Sequence, residues 1–255
     1  MAPGQHGIVI EHYLQLDGAN VVNTPDFALA LENMRYVRRR HAISLFFGDP
    51  GVGKTIAAQA VAESFGEGEG CIVKLTSAPN PRMLANAILE NLTGVFHDET
   101  RWDAARTLKH ELEERPRMVI VDEAQNAGLD CIEWLRWLHE EVPGRLTLLL
   151  VGGPQVRARV MRSPQLTRRI FQPTGFRALP GRSVLATIRS FHPMYEGADD
   201  ELILDIDRRH CNGNFGHWAQ LSITAYEMCS EQGLSTITPQ IADIAIRRNQ
   251  ELRDL

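Results

Sequence analysis

Lysine is scarce: of the 27 basic residues only three are Lys, at 54, 74 and 109, and 24 are Arg. A lysine that carries chemistry here has few substitutes. The four Cys, at 71, 131, 211 and 229, form no CxxC pair, which excludes a zinc ribbon and a disulfide framework and leaves a reducing, cytoplasmic setting as the expectation. Nine His occur without HExxH spacing, so no structural metal is expected. Purely apolar runs are short, such as Leu148 to Val151, far below the ~20 residues of a membrane-spanning helix. The opening MAPGQHGIVIEHY lacks a basic start, an apolar core and a small-residue cleavage site, so no secretory signal is read. Repeats and low-complexity tracts are also missing.

What remains is an ordinary globular composition, 255 residues with 44% hydrophobic and 23% charged, enough for one large or two small domains. A net charge of -5 argues against a uniformly basic coat for nucleic acid. The average hides a bias, because Val142 to Tyr195 holds nine Arg and no Lys, Asp or Glu. That segment carries +9 and the remainder -14 (-5 minus 9). Such a block can face polyphosphate without repelling it.

Asn23-Thr24-Pro25 reads as a helix start, opening a helix to about Arg39. Short apolar runs at 42–47, 71–76, 118–122 and 146–151 read as buried strands. Between them lie helical patterns at 55–65, 81–92, 101–114 and 130–141. Apolar strands alternating with helices of this length predict a parallel sheet covered on both faces. After Gly153 short helices are expected at 154–162 and 164–170, a fifth strand near 171–176, then helices near 181–191, 198–209, 215–230 and 238–253. The expected organisation is an N-terminal extension (1–23), an α/β core (24–179) and a smaller helical domain, the lid (180–255). Only about 23 residues precede the first core helix, so no separate helix-turn-helix domain is expected.

Gly48-Asp49-Pro50-Gly51-Val52-Gly53-Lys54-Thr55 matches G-x-x-x-x-G-K-[ST], between a predicted strand and a predicted helix. In this pattern backbone N–H groups turn inward around phosphates, and the helix aims the positive end of its dipole at them. Lys54 is expected to reach the β- and γ-phosphates of ATP and Thr55 to hold Mg²⁺. MVIVDEAQ (118–125) puts Asp122 and Glu123 at the carboxyl end of a buried strand, where open α/β sheets place ligands. Asp122 is expected to support the metal, and Glu123 to orient and deprotonate the attacking water. That carboxylate invites water in, which points to hydrolysis rather than to transfer onto another acceptor.

With these motifs on the page, the chain resembles the AAA+ ATPases, and among them the bacterial group of TniB/TnsC/MuB-type transposition regulators and ExeA-like secretion ATPases. The resemblance runs from about Thr24 to Arg248 and rests on GDPGVGKT, VIVDEAQNA, LLLVGGPQV, LTRRI and GNF. It implies a P-loop parallel-sheet core with a small C-terminal helical lid. It implies an arginine finger at Arg169, with Arg168 as its rival, acting on a neighbouring subunit's nucleotide. It also implies a polar sensor at the end of the fourth strand and a sensor Arg after the GNF turn. Gly153 and Gly216 stand at those positions, with Arg208 or Arg209 as the alternative for the second, which points to slow hydrolysis and a switch that holds ATP.

The same resemblance implies a homo-oligomeric ring or helical filament on double-stranded DNA, bound without sequence preference, with a transposase or target-selection adaptor as partner and no membrane. Lys74, Arg82 and Arg101 are the candidate phosphate-tracking residues. Arg38-Arg39-Arg40-His41 either complements a helix C-terminus or contacts nucleotide or DNA. In CIEWLRWLHEE (131–141), Cys131, Trp134, Leu135 and Leu138 form a core-facing stripe, and Trp137 is expected against the lid, with an outward partner contact as the alternative. The acidic stretch 197–207 is a candidate for meeting an Arg-rich face of the next subunit. Two alternatives stand beside this reading: an assembly switch acting on proteins without DNA, and a hydrolysis-poor scaffold.

Overall fold

The computed structural model describes residues 16–66 and 69–251, so the start of the N-terminal extension, and with it the reading of that stretch as no secretory signal, lies outside the described residues. The chain divides into two compact units, one made of Asp26–Asp49 and Lys54–Phe176, the other of Met1–Pro25, Pro50–Gly53 and Arg177–Leu255.

The α/β unit is built on five parallel strands, β1 (Ile43–Gly48), β2 (Gly70–Lys74), β3 (Arg117–Asp122), β4 (Leu146–Gly152) and β5 (Thr174–Phe176), in the order β2-β3-β4-β1-β5. All seven residues of the central β4 are buried, as a strand covered on both faces requires. Register pairs Phe47 with Gly152, Val121 with Leu150 and Lys74 with Asp122. The carboxyl ends of β1, β4 and β3 are thereby neighbours along one edge, where such sheets hold ligands.

Helices α1 (Pro25–Arg39), α2 (Lys54–Ser64), α3 (Pro81–Thr93), α4 (Arg101–Glu114), α5 (Leu129–Glu141), α6 (Pro154–Met161) and the single turn α7 (Pro164–Thr167) complete the unit. Their ends follow the sequence closely. Asn80 caps α3 by accepting from the Met83 N–H at 2.9 Å, and Thr100 caps α4 by accepting from the Asp103 N–H at 3.2 Å. The core joins Leu45, Val119 and Leu148 of the sheet to Leu84, Leu108 and Leu135 of the helices.

The helical unit contains α8 (Ser183–Phe191), α9 (Asp200–Ile206), α10 (Phe215–Glu231) and α11 (Pro239–Glu251). Its own core centres on Tyr195 and Trp218, whose rings meet edge-on at 5.6 Å. The Tyr195 hydroxyl lies 2.8 Å from the Ser222 hydroxyl, and the Trp218 indole donates to Asp207 Oδ1 at 3.0 Å. No described helix is long and apolar enough to cross a membrane.

Three local expectations change. The fifth strand is confined to Thr174–Phe176, because Gln172 takes a left-handed φ of 49° and Pro173 has no N–H to give a ladder. Regular helix after residue 198 stops at Ile206 and widens into a π-turn over Asp207–Cys211. There Asp207 Oδ1 accepts from Gly213 N–H as well as from Trp218, which pins the turn. Trp137 packs against the core of its own α/β unit and meets Trp102 edge-on at 6.3 Å, because α5 and α4 are neighbours within this unit.

Candidate functional site

The loop Gly48–Thr55 leaves β1 and opens α2, so its backbone must reverse within a few residues. Gly51 and Gly53 take φ of 79° and 94°, a region other residues adopt only under strain. The space a side chain at Gly53 would enter is open. Lys54 folds back on the loop and donates to the Asp49 carbonyl at 2.7 Å. Burial lowers the pKa of its ammonium, while the carboxylates of Glu123, Asp122 and Asp49 hold it up.

Asp122 ends β3 and is buried, with 3% of its surface exposed. Its Oδ2 accepts from the Thr55 hydroxyl at 3.0 Å and its Oδ1 from the Glu123 N–H at 2.8 Å. Burial pushes its carboxyl above the usual range, opposed by those two hydrogen bonds and by Lys74 next door in the sheet. Thr55 and Asp122 thus present oxygen donors side by side, the hard ligand set that Mg²⁺ takes through one hydroxyl, one carboxylate and substrate oxygens. Glu123 follows in the left-handed region at φ 55°, and a 3₁₀ turn over Ala124–Asn126 begins after it.

Residues 50–53 group with the helical unit. Asn214, the N-cap of α10, donates through Nδ2 to the Pro50 carbonyl at 2.8 Å, and Gly216 N–H donates to the Gly51 carbonyl at 2.7 Å. A Cβ at Gly216 would stand 2.9 Å from Gly51 Cα. The glycine at the expected sensor-Arg position is what this close approach requires.

Of the remaining candidates Lys74 lies beside Asp122 in the sheet, and the arginines are engaged elsewhere or exposed. Arg169 follows α7 and pairs with Glu140 at 2.8 Å, and Arg168 beside it is exposed. Arg82 braces the α3–α4 loop, binding Asp98 at 2.8 Å and the Glu99 carbonyl at 2.8 Å. Arg101 stacks over Trp102 at 4.5 Å, and Lys74 is exposed at the end of β2. Among the described residues no hydrogen bond or ion pair joins Lys74, Arg82 and Arg101. The acidic stretch is engaged within its own unit: Asp200 binds Arg182 and Arg189, and Asp205 binds Arg209.

Sequence reasoning assigned no role to Gln125, Asn214 or Arg159. Gln125 and Asn214 sat inside motifs already quoted, DEAQ and GNF, and that was their only signal. Arg159 carried none. It donates to the backbone carbonyls of Gln125, at 2.9 Å, and of Ala127.

A parallel sheet with the glycine loop after β1 and an acidic pair after β3 defines a P-loop protein of the AAA+ fold. Residues 37–160 match the family model described as an AAA domain. The ATP-dependent target DNA activator B of Escherichia phage Mu is 30% identical over 131 residues, 49% of this chain. The matched stretch spans only 39% of that relative's length. Two solved structures share the fold at low identity. Cdc6p of Pyrobaculum aerophilum aligns with a TM-score of 0.71 at 14% identity, covering 94% of this chain and 72% of its own. The Aeropyrum pernix ORC2 protein aligns with a TM-score of 0.67 at 19% identity, covering 88% of this chain and 66% of its own.

Proposed function

We propose that this chain is a Mg²⁺-dependent ATPase that assembles on double-stranded DNA without sequence preference and regulates target selection in transposition. The observation that carries the catalytic half is the cluster Thr55, Asp122 and Glu123 beside Lys54 at the carboxyl edge of the sheet. The α/β core is residues 24–179 and the helical lid 180–255. Gly48, Asp49, Pro50, Gly51, Val52 and Gly53 cradle the phosphates with backbone N–H groups, and Lys54 neutralises their charge. Thr55 and Asp122 hold Mg²⁺, which supplies charge neutralisation at the phosphates when bound. Glu123 takes the proton of the attacking water. Arg169 or Arg168 serves the site of a neighbouring subunit in a ring or filament.

The DNA half of the reading is supported by likeness to a relative named as a target DNA activator that depends on ATP. Phosphate tracking needs cations without base-reading groups, a role for exposed Lys74 and Arg101, with Arg82 bracing the loop that precedes α4. A transposase or target-selection adaptor is the protein partner. The test is binding to random duplex DNA across a salt series, with and without ATP and Mg²⁺. The expected result is ATP-dependent binding that weakens steeply with salt. No binding at low salt with ATP would move the reading to an assembly switch acting on proteins.

A further inference from the structure

The end of β4 carries two consecutive glycines where the resemblance implies a polar side chain, yet a polar side chain does stand there. It comes from Gln125. Its Oε1 accepts from the Gly153 N–H at 3.0 Å, while its Nε2 donates to Glu123 Oε2. One amide therefore links the proposed base to the terminus of the central strand.

The surroundings are built to keep it there. A Cβ at Gly152 would overlap Gln125 Oε1 and stand 3.3 Å from its backbone nitrogen, so any side chain at 152 displaces the amide. Arg159 of α6 fixes the Gln125 carbonyl at 2.9 Å. Asn126 closes the turn through N–H to the Glu123 carbonyl at 2.8 Å, and its side chain donates to the Leu75 carbonyl at 2.7 Å. The strand that receives the tether is paired on both sides, since β4 lies between β3 and β1 and pairs Gly152 with Phe47 one residue before the glycine loop.

We propose that Gln125 is the positioning residue for Glu123, supplying from the 3₁₀ turn the polar group missing at Gly153, and that Gly152 is glycine to admit it. The inference rests on the reading of Glu123 as the base. A glutamate side chain has three freely rotating torsions, and at a turn its carboxylate samples many directions. The amide selects one of them and ties it to the strand beside the glycine loop, so that the base is oriented before substrate arrives.

The test compares steady-state ATP turnover, KM for Mg-ATP and affinity for a fluorescent ATP analogue in the full chain. Gln125→Met keeps the length and bulk of the side chain and removes both hydrogen bonds. The expected result is a kcat about tenfold lower, with KM and analogue affinity within about twofold of wild type, the signature of an interaction that serves the chemical step. Gly152→Ala, which displaces the amide without altering it, is expected to lower kcat similarly, and the double variant to fall no further. In a Glu123→Gln background, Gln125→Met is expected to cost nothing more. Equal losses in both backgrounds, an effect confined to KM, or unchanged kcat in Gln125→Met would each overturn the proposal. Turnover in Glu123→Gln equal to wild type would instead remove Glu123 as base, a result that the two backgrounds keep separate.

Discussion

On the surface of the helical unit Asp200, Asp205 and Asp243 meet cations, whereas the carboxylate at the end of β3 meets a hydroxyl and an amide. Asp200 pairs with Arg189 at 2.7 Å and Arg182 at 3.2 Å, and Asp243 pairs with Arg209 at 2.7 Å. Asp122 is almost wholly buried and has Thr55 Oγ1 and the Glu123 N–H as its hydrogen-bond partners. Exposed ion pairs contribute little to stability, and a buried carboxylate without a salt bridge costs stability. The difference separates charge that trims a surface from charge held buried at the expense of the fold, as the role proposed for Asp122 requires.

The comparison is sharpened first at Lys54. Lys54→Ala is expected to lower ATP turnover by about a hundredfold or more and to weaken nucleotide binding, since the loop loses its only ammonium; a phosphate-release assay with nucleotide titration checks both. Trp218→Ala is expected to destabilise the helical unit by about 3–5 kcal/mol, from a cavity and the lost donor to Asp207. Urea unfolding reads that loss.

Asp122→Asn tests the opposite sign. Burial raises the folded-state pKa of this carboxyl above its unfolded value, so folding favours the protonated form. Its contribution to stability is best below the unfolded carboxylate pKa and is lost as pH rises through the folded value. The variant is therefore expected to be more stable than wild type at neutral pH by about 1 kcal/mol while losing turnover, and the stability gap to shrink as pH falls through the carboxylate range. Thermal unfolding at pH 4 and pH 7.5 without nucleotide measures the gap. Arg209→Ala, which breaks two half-exposed pairs, is expected to cost less than about 1 kcal/mol. A loss of several kcal/mol there would erase the contrast.

Much of the α/β unit was legible because its signals are local. Buried strands read as apolar runs, Asn23-Thr24-Pro25 announced the first helix, and the glycine loop stood between a strand and a helix. Strand order was not legible, since nothing local places β4 between β3 and β1. Local pattern also overran where tertiary contacts decide: Pro173 shortened the fifth strand, and Asp207 bent a helix into a π-turn. The +9 segment read as one face, but Arg182 and Arg189 bind Asp200, Arg169 binds Glu140 and Arg159 binds backbone carbonyls. Sequence counts charges and cannot show which are already engaged.

At the candidate site the residues within the motifs were legible, and their supports were not. Gly153 and Gly216 read as missing sensors. The structure gives each a steric or hydrogen-bonded neighbour, Gln125 for the first and Gly51 for the second. Neither partner is close in sequence, so neither substitution could be understood without the fold.

The central claim is that Glu123 is the base of an ATP-hydrolysing site built from the glycine loop and the end of β3. The most direct measurement is phosphate release by wild type and Glu123→Gln at saturating Mg-ATP, with nucleotide affinity measured alongside. The account predicts turnover at least about a hundredfold lower in the variant with affinity retained. Equal turnover in the two proteins would contradict it.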